Sequence, residues 1–286
     1  MKYSITIGLI ILCLSCQTGV TNTTDTDNSA FQAFFPTIDT IQVFSDAMDR
    51  SFPATIVLPR QYQADSNLVF PVVYLLHGYS GSHQDWLKNV PTLGDLASEY
   101  NIIIVLPDGA YNSWYLDSPL KEEHRFATFV GRELPAVIDQ NYRTKKAAKY
   151  RGITGLSMGG HGALYLTTQY PDQFGAVASM SGGLDLRPFS DSWEIKDLLG
   201  SIEEYPQYWS QYSVINNLEN LRAKEIPILI DCGIEDFFFE TNQAAHQQLL
   251  KLDIPHDYFV RPGGHSWDYW INALPYHLLF FKRCFD

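Results

Sequence analysis

Short apolar runs alternate with helically spaced apolar positions along most of the chain. "FPATIVLP" (52–59), "FPVVYLLHG" (70–78) and "NIIIVLPDG" (101–109) predict strands. "AKYRGITG" (148–155), "FGAVASMSGG" (174–183), "IPILIDCG" (226–233) and "HDYFVRPGG" (256–264) predict four more. Between them, Phe126, Phe129, Val130, Leu134, Val137 and Ile138 recur at helical spacing within 122–139, with Pro135 placed to kink or restart the helix. "MGGHGALYLTTQYP" (158–171), "TNQAAHQQLLKLD" (241–253) and "WDYWINALPYHLLFFKR" (267–283) read as further helices. Continuous apolar strands alternating with helices imply an α/β domain, its mostly parallel central sheet covered by helices on both faces. The opening strands, about 37–59, fit antiparallel pairing at one edge. Residues 184–223 break the rhythm. They are aromatic, irregular and too long for an ordinary connection, so they read as an insertion over the strand ends.

The first residues depart from this pattern. Lys2 precedes an apolar stretch of ten residues, Ile5–Leu14, too short to span a bilayer and suited to a signal peptide. "LSC" resembles a lipobox with Cys16 as the lipid-bearing residue, although Cys13 stands where that motif has leucine. Residues 17–36 are rich in Thr, Asn and Asp and read as a flexible tether. The expected organisation is a signal peptide over 1–16, a tether over 17–36 and one domain over 37–286. The expected location is outside the cytoplasm, on a membrane held only by the N-terminal lipid, periplasmic or at the cell surface.

Composition narrows the partners. A net charge of −12, with "RTKKAAKYR" (143–151) as the densest basic run, argues against nucleic acid. An aromatic content of 14% suits a cleft for aryl or carbohydrate esters, and equally a core rich in Tyr and Phe. Outside the leader only Cys232 and Cys284 remain. A disulfide between them is open, with buried free thiols the simpler reading. No metal-ligand spacing, Walker loop or dinucleotide glycine pattern occurs, so neither metal nor organic cofactor is expected.

The chemistry is concentrated in "GLSMG", around Ser157. This G-x-S-x-G follows a predicted strand and opens a predicted helix, as a nucleophile elbow does. A serine hydroxyl needs a base to take its proton. In this arrangement the base comes late in the chain, with the acid between. His265, in "RPGGHSWDYW" just past the last strand, is the candidate base. The acid falls in "LIDCGIEDFFF", where Asp236 lies in the loop beyond Gly233; Glu235 and Asp231 are alternatives, and Asp231 also reads as a buried structural carboxylate. The backbone N–H groups of Met158 and Tyr79 are the candidate oxyanion donors. His77 reads as shaping the oxyanion loop, and His161 as helix packing.

"YLLHGYSGSHQDWL", "LPDGAYNSWYLDSP", "GLSMGGHGALYL", "CGIEDFFFE" and "PGGHSWDYW", in this order, resemble the esterase D-like or "putative esterase" family of α/β-hydrolases. That family includes tributyrin esterases, S-formylglutathione hydrolases and the feruloyl and acetylxylan esterases of carbohydrate esterase family 1. The resemblance spans roughly 37–286 and implies an α/β-hydrolase fold. It also implies a Ser157–Asp236–His265 triad, with Tyr79 and Met158 as oxyanion donors. His77, Trp114, Tyr115, Asp117 and Trp267 are then candidates to border the substrate pocket. The expected activity is hydrolysis of short-chain acyl or aryl esters through an acyl-enzyme, on small molecules or on acetyl or feruloyl groups of carbohydrates. Acyl transfer by the same triad, thioester hydrolysis like that of S-formylglutathione hydrolase, and non-catalytic glycan binding at the surface are the alternatives.

Overall fold

The computed structural model describes residues 35–286. The leader, Cys16 and the expected tether up to residue 34 lie outside the described residues. Eight strands form one sheet: β1 (Thr37–Ser45), β2 (Arg50–Leu58), β3 (Val72–Leu76), β4 (Ile103–Pro107), β5 (Arg151–Gly155), β6 (Ala176–Met180), β7 (Ile228–Gly233) and β8 (Asp257–Arg261). Their spatial order is β1-β2-β4-β3-β5-β6-β7-β8. β1 and β2 are antiparallel at one edge, and every pair from β4 to β8 is parallel.

Alternation along each strand builds two cores. On β3, Val72, Tyr74 and Leu76 enter one, while Val73 and Leu75 enter the other. The first is covered by α2 (Leu134–Asn141), α3 (Met158–Gln169) and α4 (Phe239–Lys251); the second by α1 (Leu93–Tyr100) and α5 (Trp267–Phe285). Both faces are therefore sealed, which is why the central strands read as unbroken apolar runs.

Two local departures have physical causes. The pattern over 122–139 predicts one helix, but a π-helical turn at Phe129–Glu133 precedes α2. Pro135 sits in the first turn of α2, and the wider turn, in which Leu134 N–H donates to Phe129 O, lies just ahead of it. α5 runs unbroken past Pro275 and starts at Ser266, whose side chain accepts the Tyr269 N–H. Residues 184–223 hold only short helical turns, as their irregular sequence implies. Cys232 and Cys284 are both free thiols. No described helix is long and apolar enough to cross a membrane.

Candidate active site

The site forms where the parallel strands end. β5 stops at Gly155, and Ser157 takes φ 56°, ψ −118° before α3 begins at Met158. The glycines of the pentapeptide are required by crowding. A Cβ on Gly155 would lie 2.7 Å from the Gly159 backbone, and one on Gly159 would lie 2.6 Å from the His77 carbonyl. Only bare backbone lets the turn wedge between β3 and α3.

β8 and β7 deliver the partners. His265 follows β8, and its Nε2 lies 2.9 Å from Ser157 Oγ. Its Nδ1 lies 3.0 and 2.9 Å from the two carboxylate oxygens of Asp236, in the loop after β7. The Asp236 carboxylate is fully buried and also accepts the Phe238 N–H at 2.8 Å. The imidazole is enclosed by Phe237, 4.2 Å away between ring centres, and by Trp270 at 4.9 Å. Nδ1–H thus donates to the carboxylate, leaving Nε2 to accept the Ser157 hydroxyl proton. The other two carboxylates of the acid loop are not so placed. Asp231 is buried against Tyr269 and Arg261, and Glu235 is exposed.

Among the described residues the N–H groups of Tyr79 and Met158 have no hydrogen-bond partner, and both residues stand beside Ser157. The Met158 amide opens α3, where the helix dipole favours negative charge. The Tyr79 amide is oriented by His77. Gly109 N–H donates to His77 Nε2 at 2.8 Å, so Nδ1 carries the proton and donates to Gly78 O, also at 2.8 Å. The peptide is planar, so fixing the Gly78 carbonyl fixes the Tyr79 N–H on the opposite side. Burial lowers the His77 pKa, which keeps the ring in the neutral form this bridge needs.

A cleft of about 390 Å³ opens over Ser157 and His265. Trp267 lines it, as expected, together with Trp193, Phe237, Trp270 and Asp85, which the sequence patterns did not single out. The other pocket candidates do not reach it. His77 is buried with both ring nitrogens engaged. Tyr115 is buried under Gly162, its hydroxyl donating to the His77 carbonyl at 3.1 Å. Trp114 is buried behind Trp193, with 5.9 Å between ring centres. Asp117 accepts Thr128 N–H and Oγ–H at 3.0 and 2.7 Å, on the far side of this layer. A larger cavity of about 710 Å³ lies at the opposite strand ends, beside Ile228 and Asp257, and holds none of these groups.

Comparison with known proteins agrees with this architecture. Residues 45–281 match the family described as "Putative esterase". The chain is 30% identical over 252 residues to an acetyl esterase of Caldicellulosiruptor saccharolyticus, covering 80% of this chain and 92% of that protein. It is 25% identical to the S-formylglutathione hydrolase of Bos taurus, over 63% of this chain and 69% of that one. A solved ferulic acid esterase superposes with a TM-score of 0.74 at 26% identity, covering 88% of this chain and 99% of that structure. This chain belongs to the "Putative esterase" family and is a serine carboxylic-ester hydrolase of the α/β-hydrolase fold.

Proposed function

We propose that the enzyme hydrolyses short-chain acyl or aryl esters of neutral alcohols, carbohydrate hydroxyls included, through an acyl-enzyme on Ser157. The observation that carries the reading is the continuous relay from Ser157 Oγ through His265 to buried Asp236 beside two unpaired amides. His265 Nε2 takes the hydroxyl proton as Oγ bonds to the ester carbonyl carbon. The carbonyl oxygen becomes an oxyanion, which the Tyr79 and Met158 N–H groups stabilise. Collapse breaks the bond to the alcohol oxygen, which leaves with the proton from Nε2. Water then repeats the sequence on the acyl-enzyme, giving its proton to Nε2 as it adds, and Ser157 recovers a proton as the acid departs. Asp236 holds the imidazole tautomer and stabilises the imidazolium throughout.

The cleft lining supports the neutral alcohol. Its charged contributor is the Asp85 carboxylate, and no Lys or Arg lies among its described residues. A glutathione thioester brings two carboxylates and one ammonium group, so its alcohol-side equivalent would meet a carboxylate without a cation. The aromatic rings of Trp193, Phe237, Trp267 and Trp270 favour a flat apolar group instead. The leader and Cys16 support export and lipid anchoring, which fits an extracellular ester rather than a cytosolic thioester.

The test is pre-steady-state kinetics with p-nitrophenyl acetate, labelling of Ser157 by a fluorophosphonate, and a panel from acetate to octanoate plus a hydroxycinnamate. A stoichiometric burst and label are expected. Ser157→Ala should lower kcat by about 10⁶-fold and Asp236→Asn by about 10⁴-fold. Wild-type rates in Asp236→Asn would remove the acid role from that residue.

A further inference from the structure

Asp231 takes no part in the relay, yet its buried carboxylate holds both ends of the loop that carries His265. Arg261, the last residue of β8, donates to Asp231 Oδ2. Tyr269, in the first turn of α5, donates its hydroxyl to Oδ1 at 2.5 Å. Between these two anchors run residues 262–268, with His265 in the middle. The same loop is laced to the acid loop: Ile234 N–H donates to Arg261 O and Glu235 N–H to Gly263 O, each at 3.0 Å. The Tyr269 ring packs over this junction, where a Cβ on Gly233 or Gly263 would come within 3.1 or 2.8 Å of it. Farther along α5, His277 Nε2 lies 3.5 Å from Asp231 Oδ2, and its Nδ1 lies 3.0 Å from Thr154 Oγ1 on β5.

A carboxylate removed from water is stable only while its partners stay in place. Burial raises the Tyr269 pKa, which keeps that hydroxyl protonated and donating. Asp231 therefore resists release of either end of the loop, and the span between them has little freedom to drift.

We propose that Asp231, acting through Tyr269 and Arg261, is a positioning residue that sets the distance from His265 to Ser157. The inference rests on the esterase reading above. Its experiment is Tyr269→Phe, which keeps the ring over Gly233 and Gly263 and removes only the hydroxyl. Three quantities are read: the acylation rate constant with p-nitrophenyl acetate, KM, and the proton resonance of His265 Nδ1–H bonded to Asp236.

The expected result is a folded protein whose acylation slows by about 10–10²-fold, with KM within about twofold of wild type and the resonance shifted or broadened. Asp231→Asn should slow acylation and shift the resonance in the same way, again with KM within about twofold of wild type. A wild-type acylation rate and resonance in folded Tyr269→Phe overturns the proposal, as does a loss carried by KM alone. If Tyr269→Phe does not fold, Arg261→Lys is read by the same criteria. Failure of the esterase reading itself would appear earlier, as a wild-type protein with no burst and no Ser157 label.

Discussion

Ser157 and His77 define the residue scale. Ser157 sits at φ 56°, in a region that costs an ordinary side chain about 1–3 kcal/mol, and the surrounding close packing holds it there. That strain places Oγ at the strand end, facing His265. His77 works on the oxyanion: its two ring nitrogens fix the peptide that presents the Tyr79 N–H. His77→Ala should therefore cost about 10²–10³-fold in kcat, the loss typical of one oxyanion donor, with little change in KM. Steady-state kinetics on folded protein checks this, and an unchanged kcat would separate His77 from the oxyanion.

Single residues also show what sequence can reveal. Flanking glycines and chain order expose Ser157, Asp236 and His265, because backbone crowding and strand order leave few alternatives. Trp114, Tyr115 and Asp117 stand in an equally suggestive motif. Whether such a side chain faces the cleft or the layer behind it depends on backbone angles that the motif does not encode. Trp114 and Tyr115 both have positive φ, at 51° and 53°, and both rings turn inward.

Among the elements, the insertion over 184–223 matters most to the cleft. Trp193 and Glu194 are consecutive left-handed residues, at φ 50° and 58°. Glu194 accepts the Asn112 side-chain N–H at 2.7 Å, and Tyr111 O accepts Ser80 N–H at 2.7 Å. The insertion is thereby tied to the oxyanion loop through the 111–112 segment. Trp193 stacks on Phe237 with 5.5 Å between ring centres, forming an aromatic wall beside His265. An aromatic pair contributes about 0.5–1.5 kcal/mol beyond its buried area, so Trp193→Ala should lower kcat/KM for a hydroxycinnamate ester by about tenfold. Acetate should change by less than about twofold, since a methyl group is too small to use the wall. Equal losses on both esters would show that Trp193 supports the site rather than selecting its substrate.

The strand-helix rhythm made the fold legible, because every central strand is buried on both faces. The insertion was legible only as an interruption. Its one cleft residue, Trp193, carries no periodic signal, and its position depends on contacts with Phe238 and Trp114 from two distant segments as well as with nearby Phe189.

For the whole molecule, buried neutral histidines set the response to acid. His161 is fully buried between the carbonyls of Trp114 and Tyr212, and burial pushes its pKa down to about 4. Burial also lowers His77, His83 and His124. As pH falls below about 6.5 the unfolded chain takes up these protons while the folded chain does not, so stability drops. For His161 alone the loss by pH 4 is about 3 kcal/mol, and it is absent above about pH 7. Urea unfolding at pH 7.5, 5.5 and 4.5 should show falling midpoints, and His161→Gln should flatten the slope. A midpoint independent of pH in the native chain would contradict this account.

The sheet's polarity has a consequence for access. Thr37 pairs with Leu58, and Val57 with Ile104, so the described chain begins at the end where the parallel strands start. Ser157, Asp236 and His265 crowd the other end. Attaching the domain to a surface or a fusion partner at Thr37 would therefore leave the mouth of the cleft unobstructed on the opposite side.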